Sequence, residues 1–128
     1  MKVFTTYQLV KDWYINCEEL MNLYAADDSL TMDIEWAIFQ NYRILGTAIQ
    51  QCNAERKALE EEHGTLQDDG SRILDRSCQP TMVLYNRALE EMMNRRFRIN
   101  IEKINHKSLA GKSGVTLETM SLFDFMIY

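Results

Sequence analysis

Near the start of the chain, apolar residues recur at a spacing that suits a helix. Val10, Trp13, Cys17, Leu20 and Tyr24 follow one another at intervals of 3, 4, 3 and 4, which puts them on one face of a helix over residues 6–25. The stretch Ala25-Ala26-Asp27-Asp28-Ser29-Leu30 breaks that rhythm. Ser29 or Thr31 can cap the next helix, and Asp33 and Glu35 suit the positive end of its dipole. The strongest pattern follows. Ile38, Tyr42, Leu45, Ile49, Cys52, Arg56 and Leu59 alternate spacings of 4 and 3, which predicts a helix over residues 32–62. Arg56 alone interrupts the stripe, and its long stem can pack while its guanidinium reaches water. Gly46 costs about 1 kcal/mol relative to alanine in a helix, so a close helix approach or a slight kink is expected there. The short connection between the two helices predicts an antiparallel hairpin.

Downstream the signals change. Gly64 is placed as the C-terminal cap, since glycine tolerates positive φ. Asp68-Asp69-Gly70 marks a tight turn between Thr65-Leu66 and Arg72-Ile73-Leu74, predicting a small β-hairpin or an ordered loop. Pro80 suits the first position of a third helix, which would run to about Asn94 with Met82, Tyr85, Leu89 and Met92 inward. Arg96-Phe97-Arg98-Ile99-Asn100-Ile101 alternates polar and apolar residues and reads as a short strand, with Phe97, Ile99 and Ile101 sharing one face. Gly111, Ser113 and Gly114 mark a loop, and Thr116 to Met120 can form a short helical turn. Leu122, Phe123, Phe125, Met126 and Ile127 are too apolar to sit in water, so the tail should dock on the helices or on a partner. The whole predicts a predominantly helical α+β domain over residues 1–128. Its parts are a long antiparallel helical hairpin, a third helix and a small antiparallel β element near residues 65–75 and 96–102.

Composition adds little to this picture but narrows the setting. The chain has 128 residues, 46% hydrophobic and 26% charged, as an ordinary globular domain requires. The beginning Met1-Lys2-Val3-Phe4-Thr5-Thr6 does not read as a signal peptide, and no run is long enough to span a bilayer. Cys17, Cys52 and Cys78 are odd in number and far apart, so they are read as reduced thiols in a cytoplasm. Charge is uneven. Residues 1–70 carry 5 basic against 13 acidic side chains, a net of −8, whereas residues 84–112 carry 7 against 3, a net of +4. The total of −5 disfavours general nucleic-acid binding. The asymmetry suits either internal neutralisation or a basic face held against one acidic partner.

No motif has the context its chemistry needs. Gly111-Lys112-Ser113 imitates a phosphate-binding loop, but His106 stands where the leading glycine belongs. Glu60, Glu61, Glu62 and His63 point in different directions around a helix, and no His-x-x-x-His or Cys-x-x-Cys occurs. Asp68-Asp69-Gly70 lacks the spaced acids of a calcium loop. Neither His63 nor His106 is paired by sequence with a nucleophile, so no enzyme, metal or cofactor is expected. The cluster Arg95, Arg96 and Arg98, near Tyr85 and Phe97, is a candidate for partner or ligand contact, and the tail residues Phe123 and Phe125 are further candidates.

Four segments of residues 40–127 carry a resemblance. The first is the helix end Glu55-Arg56-Lys57-Ala58-Leu59-Glu60-Glu61-Glu62-His63-Gly64, and the second is the turn Asp69-Gly70. The third is Tyr85-Asn86-Arg87-Ala88-Leu89-Glu90-Glu91 leading into Ile99-Asn100-Ile101, and the fourth is Phe123-Asp124-Phe125-Met126-Ile127. Together they resemble a family of small proteins of unknown function encoded by tailed phages and prophages. The resemblance implies a phage origin and action in the bacterial host cytoplasm, and it transfers no catalytic residue. The expectation is therefore a non-enzymatic accessory protein that acts by protein–protein interaction, as an inhibitor of a host or defence protein. The alternatives are a virion assembly factor or minor structural protein, and a protein that sequesters a nucleotide-type signal. Self-association as a homodimer is also expected. A helix of about 30 residues is about 45 Å long, more than a domain with a radius of gyration of about 14 Å can enclose. Trp36, Phe39 and Tyr42, or the tail, would supply the anchors.

Overall fold

A computed structural model describes residues 1–25, 30–109 and 115–128. The first apolar face forms helix α1, Tyr7–Tyr24. The extended backbone of Thr6 precedes it, and the Thr6 hydroxyl accepts from the Leu9 N–H at 3.2 Å, so one free donor of the first turn is satisfied. The long stripe forms α2, Met32–Glu62. Thr31 occupies its cap position without a side-chain capping bond, while Asp33 and Glu35 lie in the first turn. Ser29, the other cap considered, lies outside the described residues.

The two helices run antiparallel. Tyr7 shares an apolar cluster with Cys52, Tyr14 meets Tyr42, and Leu20 and Tyr24 line one cleft with Leu30 and Ile38. Tyr14 donates its hydroxyl to that of Tyr42 at 2.9 Å, with the rings stacked 4.7 Å apart. The same ring lies over Gly46, where a Cβ would stand 3.5 Å from Tyr14 Cε2. The helices do approach closely there, yet an alanine would make only an ordinary contact.

Past α2, the turn expected at Asp69-Gly70 closes a hairpin of β2, Thr65–Leu66, and β3, Arg72–Ile73. Gly70 has a φ of 88°, and the Asp69 carboxylate accepts from the Ser71 N–H at 3.0 Å and its hydroxyl at 2.6 Å. Gly64 is needed for a reason other than the one its sequence position suggested. Its φ is not positive, and His63 is the capping residue. Gly64 is instead wedged between the last turn of α2 and the returning hairpin, so that a Cβ on it would lie 2.9 Å from Glu60 O and 3.0 Å from Ile73 N. Helix α3, Gln79–Asn94, follows, with Pro80 in its first turn and Tyr85, Met92 and Met93 buried.

The alternating segment after α3 forms β4, Phe97–Asn100, with Ile99 buried between exposed Arg98 and Asn100. Its partner was not legible. The extreme N-terminus forms β1, Lys2–Thr5, and pairs antiparallel with β4, placing Lys2 opposite Asn100 and Phe4 opposite Arg98. The two β segments thus belong to separate two-stranded sheets rather than to one element.

The tail closes the domain on itself. Helix α4, Leu117–Phe123, starts at a reciprocal cap between Thr116 and Thr119, and a 3-10 turn, Asp124–Met126, follows. Ile127 then bridges Ile104 in parallel, with Ile104 N donating to Met126 O at 2.8 Å and Tyr128 N to Ile104 O at 2.9 Å. The main core joins Val10, Cys17 and Leu20 of α1 to Ile34, Ile38 and Leu45 of α2. Ile99, Ile101, Phe123 and Met126 close it from the other side. Asn41 lies fully buried in this core. Its amide donates to Glu102 O at 3.0 Å and accepts from Glu102 N at 2.8 Å, which ties α2 to the chain leaving β4. A smaller cluster of Tyr7, Cys52, Met92 and Met93 packs α3 against α1 and α2.

Candidate functional site

The outer face of the β1–β4 sheet follows directly from its register. Directly opposed residues share a face, so Lys2, Phe4, Arg98 and Asn100 all point away from the core. Val3, Thr5, Phe97 and Ile99 point inward. Arg96 lies two residues before Arg98 and joins the outer set. Both guanidiniums lie 4.9 Å from the Phe4 ring centroid, while the ring remains 55% exposed. Cations over an exposed ring gain about 0.5–1 kcal/mol each. The arrangement holds two flexible arginines in place and keeps their charge in solvent.

The three arginines of the sequence cluster therefore separate. Arg96 and Arg98 flank Phe4. Arg95 turns the other way and donates from Nη2 to Glu55 Oε1 at 3.1 Å, where it forms an ion pair with α2. Phe123 and Phe125 are corrected as surface anchors. They are 0% and 8% exposed, Phe125 stacks on Trp13 with centroids 5.2 Å apart, and Phe123 lies 6.4 Å from Tyr24. The physical reason is that the tail satisfies its apolar side chains on its own chain. Lys2 and Phe4 belong to the outward face but carry no sequence signal that reveals it. Along Lys2–Thr5 the aromatic points out and Thr5 is 2% exposed, so the usual rule of apolar inward gives the wrong phase.

Nδ1 of His63 bonds to Leu59 O at 3.0 Å, and Nδ1 of His106 to Tyr128 O at 2.9 Å, so each ring is held by a backbone carbonyl. Burial pushes the Cys17 thiol up to about 12. The Thr81 hydroxyl donates to Cys78 Sγ at 3.2 Å and lowers that thiol. Burial, with the Glu55 carboxylate beside it, raises the Tyr7 phenol to about 12. Among the described residues no group of three His, Cys, Asp or Glu converges, and no helix is long and apolar enough to cross a membrane. The phosphate-loop imitation at Gly111-Lys112-Ser113 lies outside the described residues. A cleft of about 670 Å³ runs between α2 and α3 and is walled by Glu55, Leu59, Ala88, Met92 and Arg95. The chain matches no protein-family profile, no curated protein and no solved structure.

Proposed function

We propose that the chain is a non-enzymatic protein-interaction module whose outward β1–β4 face, Lys2, Phe4, Arg96 and Arg98, engages an acidic surface on a partner protein. The observation that carries this reading is the exposed Phe4 ring with two arginines held over it. Aromatic and arginine side chains dominate the anchors of protein interfaces. Side chains already ordered before docking lose less entropy on binding. The face is cationic on a chain of net charge −5, so its field is local and directs an acidic partner to one place. The resemblance to phage-encoded proteins adds the setting: an accessory protein in a bacterial host, acting on a host or defence protein. Self-association as a homodimer belongs to the same proposal, with the exposed Trp36 and Phe39 as its anchors.

A nucleotide-type ligand is the second use that an arginine–aromatic cluster suggests. Small ligands bind in concave sites. Arg96 and Arg98 lie instead on the outward face of a two-stranded sheet over an exposed ring, and neither lines the cleft between α2 and α3, which favours a protein surface.

The test compares the tagged full chain with an Arg96→Glu/Arg98→Glu variant expressed in bacterial host cells. One protein should co-purify with the wild type at equal stoichiometry and be lost from a variant whose circular dichroism is unchanged. A partner retained equally by both, or recovery of no stoichiometric protein, overturns the reading. If the partner is a phage structural protein, the accessory role becomes one in assembly.

A further inference from the structure

We infer that the free edge of β4 takes an extended acidic segment of the partner as a third strand. This inference rests on the acidic-partner reading above and adds a mode of binding to it.

Ile101 N donates to Met1 O at 2.9 Å, and the Met1 amino group donates to Ile101 O at 3.0 Å. Met1 and Ile101 therefore form a hydrogen-bonded pair. In an antiparallel ladder such pairs alternate with non-bonded ones. Val3–Ile99 and Thr5–Phe97 are then the bonded pairs, and Lys2–Asn100 and Phe4–Arg98 are the non-bonded ones. The non-bonded residues turn their N–H and C=O groups away from the partner strand. Along β4 these belong to Arg98 and Asn100. The sheet ends there, and no hydrogen bond of the described residues uses those groups. Each residue thus offers one donor and one acceptor at the edge, which is the template that strand addition uses.

The side chains say which edge and which occupant. On an added strand, residues that share the outer face lie opposite the β4 residues of that face and recur every second position. Arg96 and Arg98 are two apart and both cationic. A segment with carboxylates at alternate positions would set one against each arginine. Its intervening residues would lie on the inner side, continuing the row of half-buried Phe97 and buried Ile99, and should be apolar. The β1 edge offers only Lys2 and Phe4, so its charge match is poorer. Glu102 continues the outer row beyond Asn100 and is exposed, which confines the acidic positions of the occupant to the Arg96–Arg98 end. A second copy pairing β4 to β4 through the free groups of Arg98 and Asn100 would set each Arg98 opposite Asn100, which carries no charge, so an acidic segment with alternating carboxylates is the better match for Arg98.

The experiment titrates the full chain with three capped peptides. The first alternates glutamate and valine, the second has the same composition with the glutamates in one block, and the third is the alternating peptide N-methylated on its edge-pairing amides. Amide hydrogen exchange at Arg98 and Asn100 is the readout. The alternating peptide should slow exchange at both amides, and N-methylation should weaken binding about tenfold or more, as loss of two backbone hydrogen bonds implies. Arg96→Ala should weaken it without changing the register of protection. Binding of all three peptides alike, with Arg98 and Asn100 unprotected, overturns strand addition and leaves the acidic-surface reading standing. Protection at Lys2 and Phe4 in place of Arg98 and Asn100 overturns the assignment to β4. Absence of binding by any of the peptides at millimolar concentration also overturns the inference. The arginine-dependent co-purification then decides the parent reading separately.

Discussion

Between Ile34 and Leu45, α2 buries Ile34, Ala37, Ile38, Asn41 and Leu45; between Asn53 and Glu62 it buries no side chain. The apolar stripe has the same period in both halves. What differs is the cover. The N-terminal half is wrapped by α1, by the isoleucines of and after β4, and by the tail through Phe123 and Met126. The C-terminal half meets α3 and the small hairpin, with Tyr7 of α1 beside Glu55, and there its polar contacts include Arg95 to Glu55 at 3.1 Å, Arg76 to Glu60 at 3.4 Å and Tyr85 to Glu60 at 3.3 Å. A heptad pattern states which face of a helix turns inward. It does not state how much chain, arriving from far away in sequence, will lie on that face. Stability should therefore be concentrated in the first half of α2, leaving the second as a more lightly held arm.

The largest expected effect compares one leucine from each half. Leu45 is 0% exposed and Leu59 is half-buried. Leu45→Ala should cost about 2–5 kcal/mol, the range for a large-to-small change in a closed core. Leu59→Ala should cost about 1 kcal/mol or less, because its site is open to solvent and leaves no sealed cavity. Urea unfolding of both variants checks this. Equal losses would mean that α3 covers the second half as thoroughly as the tail covers the first.

The next effect tests how the first half is fastened. Asn41 supplies both partners to the backbone of Glu102, and its amide nitrogen also lies 3.7 Å from Met126 Sδ. The backbone geometry fixes which amide atom faces which group, since an N–H must meet an oxygen and a C=O a donor. Asn41→Leu keeps the branching and heavy-atom count of the side chain and leaves the Glu102 N–H and C=O without these partners. A loss of about 2–4 kcal/mol is expected. A loss under about 0.5 kcal/mol would show that another group takes up both bonds and that Asn41 is not what joins α2 to the chain beyond β4.

Legibility in the sequence followed the range of the interaction. Helices α1, α2 and α3 and the Asp69-Gly70 turn were readable because their signals lie within a few residues. The inward face of β4 was readable for the same reason. The pairing of β4 with β1 was not, since it joins residues nearly 100 positions apart and the N-terminal strand hides its phase by exposing Phe4 and burying Thr5. Gly64 looked like a left-handed cap, whereas its need is set by the hairpin backbone that returns across it. The arginine cluster was found by composition. Only the structure divides it, because one residue of register decides whether an arginine meets Phe4 or Glu55. The aromatic tail was likewise visible as apolar, but its destination depended on Trp13 and Tyr24.

The smallest expected effect concerns the ion pair that fastens α3 to the second half of α2. The Arg95 side chain is 60% exposed and that of Glu55 is 30% exposed. Water screens such a pair, and ordering two long side chains offsets much of the attraction, so exposed pairs are worth about 0.2–1 kcal/mol. Arg95→Ala should lower stability within that range, and raising the salt concentration should remove most of the difference between variant and wild type. The substitution should also leave partner capture intact, because Arg95 points away from the Phe4 face while Arg96 and Arg98 lie over it. Denaturant unfolding at low and high salt, together with the co-purification assay, separates the two outcomes. A loss above about 2 kcal/mol that persists in salt would show that the lightly covered half is held as firmly as the core. Loss of the partner on Arg95→Ala would show that the binding face extends around α3 to the Glu55 side.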